Sequence, residues 1–519
     1  METLRRTASV LIFPVLAWVA VACEKTLPTE PRPMGAPTTG SNSSGSSGTT
    51  RWVNDDGTVY LPPGNGCNNP GYQHIQDAVK DANPGDRINV CPGTYAEQVT
   101  VGMGKDNITL KSVGLWKAVI KAPTLMMFDA GDTRYSIVRV SYSNNVTIVG
   151  FTISGPGPGP CNSLHYGVRV DNGASANILG NHIIHIRDEP FGGCGNGLAV
   201  VVGRLGAASA QVLGNVIEDY QKNGPTVLNG SNATISFNRV IGHGPNSLES
   251  QNGIQVSDGA TGTVRHNFVS QNISGGGLFG GIGVLFFSAG QVVSEHNTAT
   301  ANDYGVYSNQ TAGGTSVTES RVRGSTFDGI VIDGSNYHQV SHNASDHNSG
   351  PGVSLYDEAD NNSIVRNQVQ NNDFGGILLD LGSSNTVSTN HVKSNGHDPI
   401  DDITDGIRIN TGSGNTVTGN HLKNNITHDC HDETLTLNTW SDNGVGTSYP
   451  AGLCGYDDDD GEDVNTFGWD PSYPWYLSFS DAADLDFVTG YSQFDLSSLL
   501  QLVPSIRISA TRPKPSPGQ

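Results

Sequence analysis

Short runs that alternate β-branched and polar residues recur along most of the chain, separated by turns rich in Asn, Gly and Ser. Asn385–Ser388 and Gly375–Leu379 are two such runs. Alternation with a period of two is typical of strands that bury one face. The pattern therefore predicts many short β-strands joined by tight turns.

Two markers repeat along the body of the chain with a period of about 23 residues. One marker is an asparagine beside a strand run. The widest gap between its copies spans two periods, and the repeat near Arg321 that lies in this gap lacks the asparagine. The other is a glycine that precedes an apolar strand. The asparagines are Asn181, Asn215, Asn238, Asn267, Asn297, Asn343, Asn367, Asn390 and Asn420. The glycines are Gly167, Gly197, Gly253, Gly305, Gly329, Gly352, Gly376 and Gly406.

Two markers with one period indicate one structural unit per period. No helical periodicity separates the strand runs, so β-α-β units and leucine-rich horseshoes do not fit. The remaining solution is a coil of short strands in which each turn stacks in parallel register on the next. Asparagines stacked at one position can hydrogen bond to each other, so we expect them to have a structural role.

The repeats resemble the right-handed parallel β-helix, in particular the NosD-like, carbohydrate-associated group. The entry segments His74–Val90 and Pro92–Glu97 support this resemblance, because such proteins carry a short helix there that covers the open end of the coil. It implies an all-β fold, a right-handed parallel β-helix or solenoid, with a short N-terminal capping helix. Four apolar residues lie on one face of that helix: Ile75, Ala78, Val79 and Ala82.

The end of the repeat region is similar to the closing segment of the same group. The matching segments are Asp429–Asp432, Asn438–Trp440 and Pro450–Cys454. The resemblance covers about residues 58–455, and we assign 51–455 to the β-helix. It indicates the fold but not one function, because lyases, hydrolases, epimerases, adhesins and inert spacers share this scaffold.

The N-terminus has the pattern of a targeting signal rather than of a folded segment. Residues 1–22 combine a basic start with a short apolar stretch, as in a signal peptide. Ala20–Cys23 resembles the bacterial lipobox, which implies lipidation of Cys23 and a membrane anchor; the alternative is ordinary secretory cleavage after Ala22. Residues 23–50 then form the lipidated cysteine and a flexible tether. We therefore expect a bacterial envelope lipoprotein on the periplasmic or extracellular side.

The remaining six cysteines fall into three pairs of neighbours along the chain. Six cysteines allow fifteen connectivities. We predict that the neighbours pair, which gives disulfides Cys67–Cys91, Cys161–Cys194 and Cys430–Cys454. No CxxC or mixed Cys/His spacing is present, so we expect no structural metal site.

Composition and charge narrow the function classes. The chain has 519 residues, 66 of them Gly, with 35% hydrophobic and 15% charged residues, which excludes a helical bundle and a polytopic membrane protein. The formal net charge of -21 argues against non-specific nucleic-acid binding, because polyanions repel. We expect a monomer.

An acid run opens residues 456–519, which we interpret as an acidic linker followed by a C-terminal cap or tail.

Candidate chemistry lies on one external column of the coil. Counting from each marker glycine, the second residue points outward and gives Arg169, Ala199, Gln255, Tyr307, Val331, Ser354, Leu378 and Arg408. Neighbouring positions add tyrosines and carboxylates. The candidate binding residues are Tyr166, Arg169, Tyr304, Tyr307 and Tyr356. The candidate catalytic residues are Asp333, Asp357, Asp380, His397, Asp405 and Arg408.

Two clusters would carry catalysis if the protein is an enzyme. Asp333, Asp357 and Asp380 lie on neighbouring coils, and paired carboxylates serve glycoside hydrolysis. The second cluster is the densest set of ionisable residues on the coil: His397, Asp401, Asp402, Asp405 and Arg408. Ile403–Ile407 resembles one element of polygalacturonases, but the other elements of that family are absent or out of order.

Three function classes remain open. The preferred one is an envelope-anchored protein that binds or processes polysaccharide; the others are a lyase or hydrolase of uronate polymers and a structural or adhesive spacer. The copper maturation associated with NosD does not fit, because clusters of Met, His and Cys suited to copper are lacking. We expect no cofactor, except that Ca²⁺ would be needed to bridge uronates to so acidic a protein.

Overall fold

Each repeat of about 23 residues forms one turn of a coil made of three short strands. The computed structural model describes residues 48–56, 60–275, 280–397, 404–444 and 446–455. The expected signal peptide, Cys23, most of the tether, Asp401, Asp402 and the tail at 456–519 lie outside the described residues. Within the described residues, no helix is long and apolar enough to cross a bilayer.

Strands at equivalent positions of successive turns pair in parallel and form three long sheets. Sheet 1 contains Thr50–Val53, Arg87–Val90, Thr109–Ser112, Val146–Val149, Ser175–Leu179, Ser209–Leu213, Asn232–Ser236, Thr261–Arg265, Val292–Glu295, Ser316–Thr318, Gln339–Ser341, Ser363–Val365, Thr386–Ser388, Thr416–Thr418 and Thr439–Ser441. Sheet 2 contains Gly93–Ala96, Ala118–Lys121, Thr152–Ser154, His182–Ile184, Val216–Glu218, Arg239–Ile241, Phe268–Ser270, Thr298–Thr300, Arg321–Arg323, Ala344–Asp346, Gln368–Gln370, His391–Lys393 and His421–Lys423. Sheet 3 contains Val99–Val101, Ser136–Ser141, Tyr166–Asp171, Leu198–Val202, Asn223–Val227, Asn252–Ser257, Ile282–Phe287, Tyr304–Asn309, Ile330–Asp333, Val353–Tyr356, Ile377–Leu379, Ile407–Ile409, Cys430–Asp432 and Ser448–Tyr449.

The core is a column of aliphatic side chains inside the coil. Alternate residues of each strand point inward, so Val340, Val369 and Leu355 are almost fully buried on three different sheets. A separate antiparallel pair, Gly64–Gly66 with Asn69–Pro70, lies near the N-terminal end. The predicted all-β parallel coil is confirmed.

The marker asparagines form a buried ladder where sheet 1 turns into sheet 2. The Asn181 amide N–H donates to Asn215 Oδ1 at 2.9 Å, and Asn181 Nδ2 donates to the Ile148 carbonyl at 3.0 Å. The rung without asparagine has Ser320, whose Oγ accepts from the Asn297 N–H at 3.1 Å. This ladder confirms the predicted structural role, because each side chain satisfies backbone groups that turn away from the sheets.

Two further ladders at the other corners were not predicted. Both use the same amide-to-backbone hydrogen bonds as the first ladder. Between sheets 2 and 3 they involve Asn272, Asn302, Asn348, Asn372, Asn395 and Asn425. Between sheets 3 and 1 they involve Asn362, Asn385, Asn415 and Asn438.

The predicted capping helix covers the N-terminal end of the coil. It spans Ile75–Asp81 and buries Ile75, Ala78 and Val79. His74 at its N-cap makes no side-chain cap; instead, the Glu97 carboxylate accepts from the Ile75 and Gln76 N–H groups at 2.8 and 2.9 Å. Glu97 therefore binds the unsatisfied amides at the start of this helix.

All three predicted disulfides are present. They join Cys67 to Cys91, Cys161 to Cys194 and Cys430 to Cys454.

Candidate functional site

The outward column of sheet 3 has the predicted order over most of its length. Tyr307, Val331, Ser354, Leu378 and Arg408 pair with one another on successive strands. Ala199 was wrongly assigned to this column, because the residue in register with Arg169 is Val201. In that coil Ala199, not Gly197, lies opposite Gly167, so counting from Gly197 gives a residue on the same face but two positions too early in the strand.

The N-terminal part of the column is not an open groove. Arg169 is fully buried among Asp129, Asp132 and Asp171, at 2.8, 2.9 and 2.6 Å from their carboxylate oxygens. Tyr166 is 3% exposed. The expectation that Tyr166 and Arg169 are accessible for binding is therefore wrong, because a loop carrying Asp129 and Asp132 closes over them.

Further along, tyrosines and carboxylates of three successive turns meet on the same face. We call Tyr304, Tyr307, Asp328, Asp333 and Tyr356 the tyrosine–aspartate patch. Tyr307 Oη donates to Asp333 Oδ2 at 2.7 Å, and Tyr356 Oη donates to Asp328 Oδ2 at 2.9 Å. The Tyr304 and Tyr307 rings meet edge to face at 5.2 Å. The structure therefore brings together four of the residues that the sequence indicated as candidates.

The rims of this patch are aromatic on one side and acidic on the other. Phe327 is 47% exposed, and its ring lies 5.1 Å from the Tyr304 ring. Asp357 is exposed beside Tyr356, and Asp380 follows in the next coil, where its Oδ1 accepts from Thr411 Oγ1 at 3.2 Å. Asp333 and Asp380 are two coils apart, a backbone separation of about 10 Å.

Burial and neighbouring charges perturb the acids of the patch. Burial raises the pKa of Asp328 to about 6, against the effect of hydrogen bonds from Ser354 and Tyr356. Burial and the neighbouring Asp333 carboxylate raise the pKa of Asp357. Burial and nearby carboxylates also raise the pKa of Tyr304 and Tyr307, so both phenols stay protonated and remain hydrogen-bond donors.

Asp328 should make stability depend on pH. Its carboxyl binds a proton more tightly in the folded chain, at a pKa of about 6 against the ordinary 3.8. The folded state thus holds more protons between these values, and stability falls by about 3 kcal/mol as pH rises through this window. Asp328→Asn removes this contribution. In urea unfolding, the free energy of unfolding of the variant relative to that of the wild type should therefore rise by about 3 kcal/mol from pH 4 to pH 7. A difference that stays constant with pH would show that Asp328 is ionised at no cost.

A second cluster lies four coils from Tyr307 on the same face, and we call it the Asp405 cluster. It consists of Asp405, Arg408, His428, His431 and Glu433. His428 Nδ1 lies 3.0 Å from Asp405 Oδ1, and His431 Nδ1 lies 2.9 Å from Asp405 Oδ2. Arg408 Nη1 donates to Asp405 Oδ2 at 3.0 Å, and Arg408 Nη2 donates to Glu433 Oε1 at 3.0 Å.

Asp405 is the centre of this cluster and its side chain is fully buried. Burial alone would raise the pKa of Asp405, but hydrogen bonds and charges from His431 and Arg408 lower it below the usual range. Asp405 is therefore ionised at neutral pH. One Asp405 oxygen, one His428 nitrogen and one His431 nitrogen lie within 4.8 Å of one another, as the ligand atoms of one metal ion do.

The sequence identified only part of this cluster. Asp405 and Arg408 were predicted together, and the structure pairs them. His397, assigned to the same group, is exposed and makes no hydrogen bond to the described residues. His428 and His431 were missed as site residues, although the spacing His428-Asp429-Cys430-His431 places His431 in register with Arg408 on the next strand.

Three parallel sheets wound into one coil define a β-helix protein. The model of the family described as "right handed beta helix region" matches residues 136–321 and 304–449, which together make up more than half of the chain. The chain therefore belongs to the right-handed β-helix family. No curated protein matches the chain.

Solved structures similar to this chain include two epimerases and a DFA-IIIase. A variant of the periplasmic alginate epimerase AlgG is 14% identical, with a TM-score of 0.43 over 67% of this chain and 83% of its own. The A-module of mannuronan C-5 epimerase AlgE4 from Azotobacter vinelandii is 13% identical, with a TM-score of 0.38 over 71% and 88%. DFA-IIIase from Arthrobacter chlorophenolicus A6 is 15% identical, with a TM-score of 0.36 over 64% and 83%. Likenesses this distant carry no inference about the function of this chain.

Proposed function

We propose that this protein is a cell-envelope lipoprotein of the NosD-like β-helix group that binds polysaccharide on the outward face of sheet 3. The observation that carries this proposal is the tyrosine–aspartate patch. Half-buried tyrosines offer an apolar ring face and a polar tip, and carboxylates accept hydrogen bonds from sugar hydroxyls. A few convergent polar groups among aromatic side chains are typical of ligand sites.

The electrostatics of the patch favour one class of polysaccharide. Asp333, Asp357 and Asp380 add negative charge to a chain whose formal net charge is already -21. A neutral polymer meets no repulsion there, whereas a uronate polymer would need Ca²⁺ to bridge it to the carboxylates. We therefore propose neutral polysaccharides as ligands without metal, and polyuronates only when Ca²⁺ is present.

Lipidation of Cys23 and the tether that follows belong to the same proposal. A lipid at Cys23 would hold the coil to a membrane surface, and residues 24–50 would let its face reach polymer nearby. Mass spectrometry of the protein from bacterial membranes should find the acylated Cys23 as the first residue. A chain that begins at Cys23 without an acyl group would instead indicate ordinary cleavage after Ala22 and a secreted protein.

Hydrolysis is a second candidate for the same patch. Two carboxylates whose environments separate their pKa values can act as acid and base. Asp357, with its raised pKa, would be the acid, and Asp333, which accepts from Tyr307 and Asn309, would be the second carboxylate. Release of reducing ends from a bound polymer would favour this reading over binding alone.

Polymer binding tests the proposal directly. The full chain would be incubated with neutral polysaccharides and with polyuronates, each with Ca²⁺ or chelator, and bound polymer measured by affinity electrophoresis. Asp333→Asn and Tyr307→Phe should each weaken binding about tenfold, which is about 1.4 kcal/mol of binding free energy. Tyr337→Phe is the matched control, because Tyr337 is 66% exposed and lies outside the patch. Binding that the patch variants leave unchanged, or no binding to any polymer, would refute the assignment.

A further inference from the structure

The Asp405 cluster contains two imidazoles directed at one buried carboxylate. His428 and His431 both present Nδ1 to Asp405, at 3.0 and 2.9 Å, each to a different oxygen. In a tetrahedral zinc site, two ligand atoms each about 2.1 Å from the ion are about 3.4 Å apart. The spacings of these nitrogens and oxygens are thus within about 0.5 Å of those in a metal site.

We propose that Asp405, His428 and His431 bind a divalent transition-metal ion, with Zn²⁺ as the representative ion. Imidazole nitrogen together with carboxylate oxygen suits Zn²⁺, Ni²⁺ and Cu²⁺, whereas Ca²⁺ takes oxygen ligands. The ion takes the place of the protons between the imidazoles and Asp405. This site is distinct from the tyrosine–aspartate patch and does not rest on the proposed polysaccharide binding.

Glu433 lies where an outer partner of a metal-bound histidine is usually found. His431 Nε2 lies 3.1 Å from Glu433 Oε1, on the far side of the ring from Asp405. The His431 side chain is 8% exposed, and its Nε2 has no hydrogen-bond partner among the described residues. A carboxylate at the second nitrogen of a metal-bound histidine fixes the orientation of the imidazole ring and makes the ligand nitrogen more basic.

Arg408 is compatible with an ion at this position. Its guanidinium bonds to Asp405 Oδ2 and to Glu433 Oε1, so it is the counter-ion of two carboxylates. With neutral imidazoles the cluster carries one net negative charge, which a divalent cation reverses to one positive charge. Asp405 has about four lone-pair sites, enough to accept from Arg408 and still bind an ion.

The surroundings hold the ligands in place and leave one side accessible. Disulfide Cys430–Cys454 fixes the strand that carries His431. The Tyr449 ring lies 5.9 Å from the His428 ring and 5.2 Å from the His431 ring, and Tyr449 is 49% exposed. His428 is 28% exposed by side chain, so an ion would reach the cluster from its side.

Zinc binding by the full chain tests the inference. After treatment with chelator and dialysis, isothermal titration with Zn²⁺ should show one saturable site, and Co²⁺ should give a visible spectrum with nitrogen ligands. His428→Gln, His431→Gln and Asp405→Asn should each weaken Zn²⁺ binding about 100-fold, and Glu433→Gln about tenfold. Circular dichroism establishes that each variant is folded.

The matched control changes two histidines that do not belong to the cluster. His391 and His421 lie on neighbouring strands of sheet 2 with ring centres 5.3 Å apart, and their joint replacement with Gln should leave the site intact. Loss of the signal in this control would place the ion on sheet 2 and overturn the inference. So would the absence of saturable Zn²⁺ binding, which would make the cluster a hydrogen-bond network around Asp405. Polysaccharide binding to the patch is measured separately with chelator present, so either assignment can fail without the other.

Discussion

Replacing Asn390 with alanine is expected to lower the free energy of unfolding by about 4 kcal/mol. Asn390 is fully buried in the ladder between sheets 1 and 2. Its Nδ2 donates to the Ile364 carbonyl at 2.8 Å, and its Oδ1 accepts from the Asn367 N–H at 2.9 Å. Alanine leaves both backbone groups buried without a partner, and each such group costs about 1–3 kcal/mol. Urea unfolding followed by circular dichroism measures the loss.

Two further variants separate the ladder from the general effect of removing an amide. Asn177→Ala removes a half-buried asparagine on the outer face of sheet 1, whose Nδ2 donates to Asn145 Oδ1 at 3.1 Å, and should cost less than about 1 kcal/mol. Asn390→Asp keeps the acceptor for the Asn367 N–H but places a buried carboxylate against the Ile364 carbonyl, so at neutral pH it should cost at least as much as Asn390→Ala. Equal losses at Asn390 and Asn177 would contradict the structural role of the ladder.

Replacing Arg169 with methionine is expected to cost about 4 kcal/mol as well. Methionine fills much of the same space, but it leaves the carboxylates of Asp129 and Asp132 buried or half-buried without their cation. Asp171 keeps the Arg139 guanidinium at 3.0 Å and the Asn172 side-chain amide at 3.3 Å. Breaking a buried ion pair on one side is costly, because the remaining charge cannot regain its hydration. Thermal unfolding and urea unfolding at neutral pH measure the effect.

An ion pair with an exposed arginine provides the control for Arg169. Arg323 is 47% exposed by side chain and pairs with Asp346 at 3.1 Å, and Asp346 keeps Arg321 and His347 when Arg323 is replaced, so Arg323→Met should cost less than about 1 kcal/mol. Arg169→Lys should give an intermediate loss, since a single ammonium group cannot bond to Asp171 and Asp129 in the way that the guanidinium fork does. If Arg169→Met were no more costly than Arg323→Met, the buried network would not hold the loop over sheet 3.

Many of the candidate site residues could be found from the sequence, because the register of the strands determines which side chains lie on the same face. Tyr307, Asp333 and Tyr356 follow their marker glycines at fixed offsets, so one rule of counting places them on one face. The rule failed at Gly197, which lies two residues before the position opposite Gly167, and it gave Ala199 instead of Val201. Counting along one strand also could not show that His428, which lies before its strand, reaches Asp405.

The sequence by itself determined the parallel coil, the first asparagine ladder and the three disulfides. These follow from local periodicity and from short separations along the chain, so no long-range information is needed. The capping helix was implied by the resemblance to the NosD-like group. Only the tertiary structure decided which outward residues are accessible and which polar groups converge. The loop that buries Arg169 and the meeting of Asp405 with His428 and His431 depend on contacts between different coils, and loop paths over a surface leave no periodic pattern in the sequence.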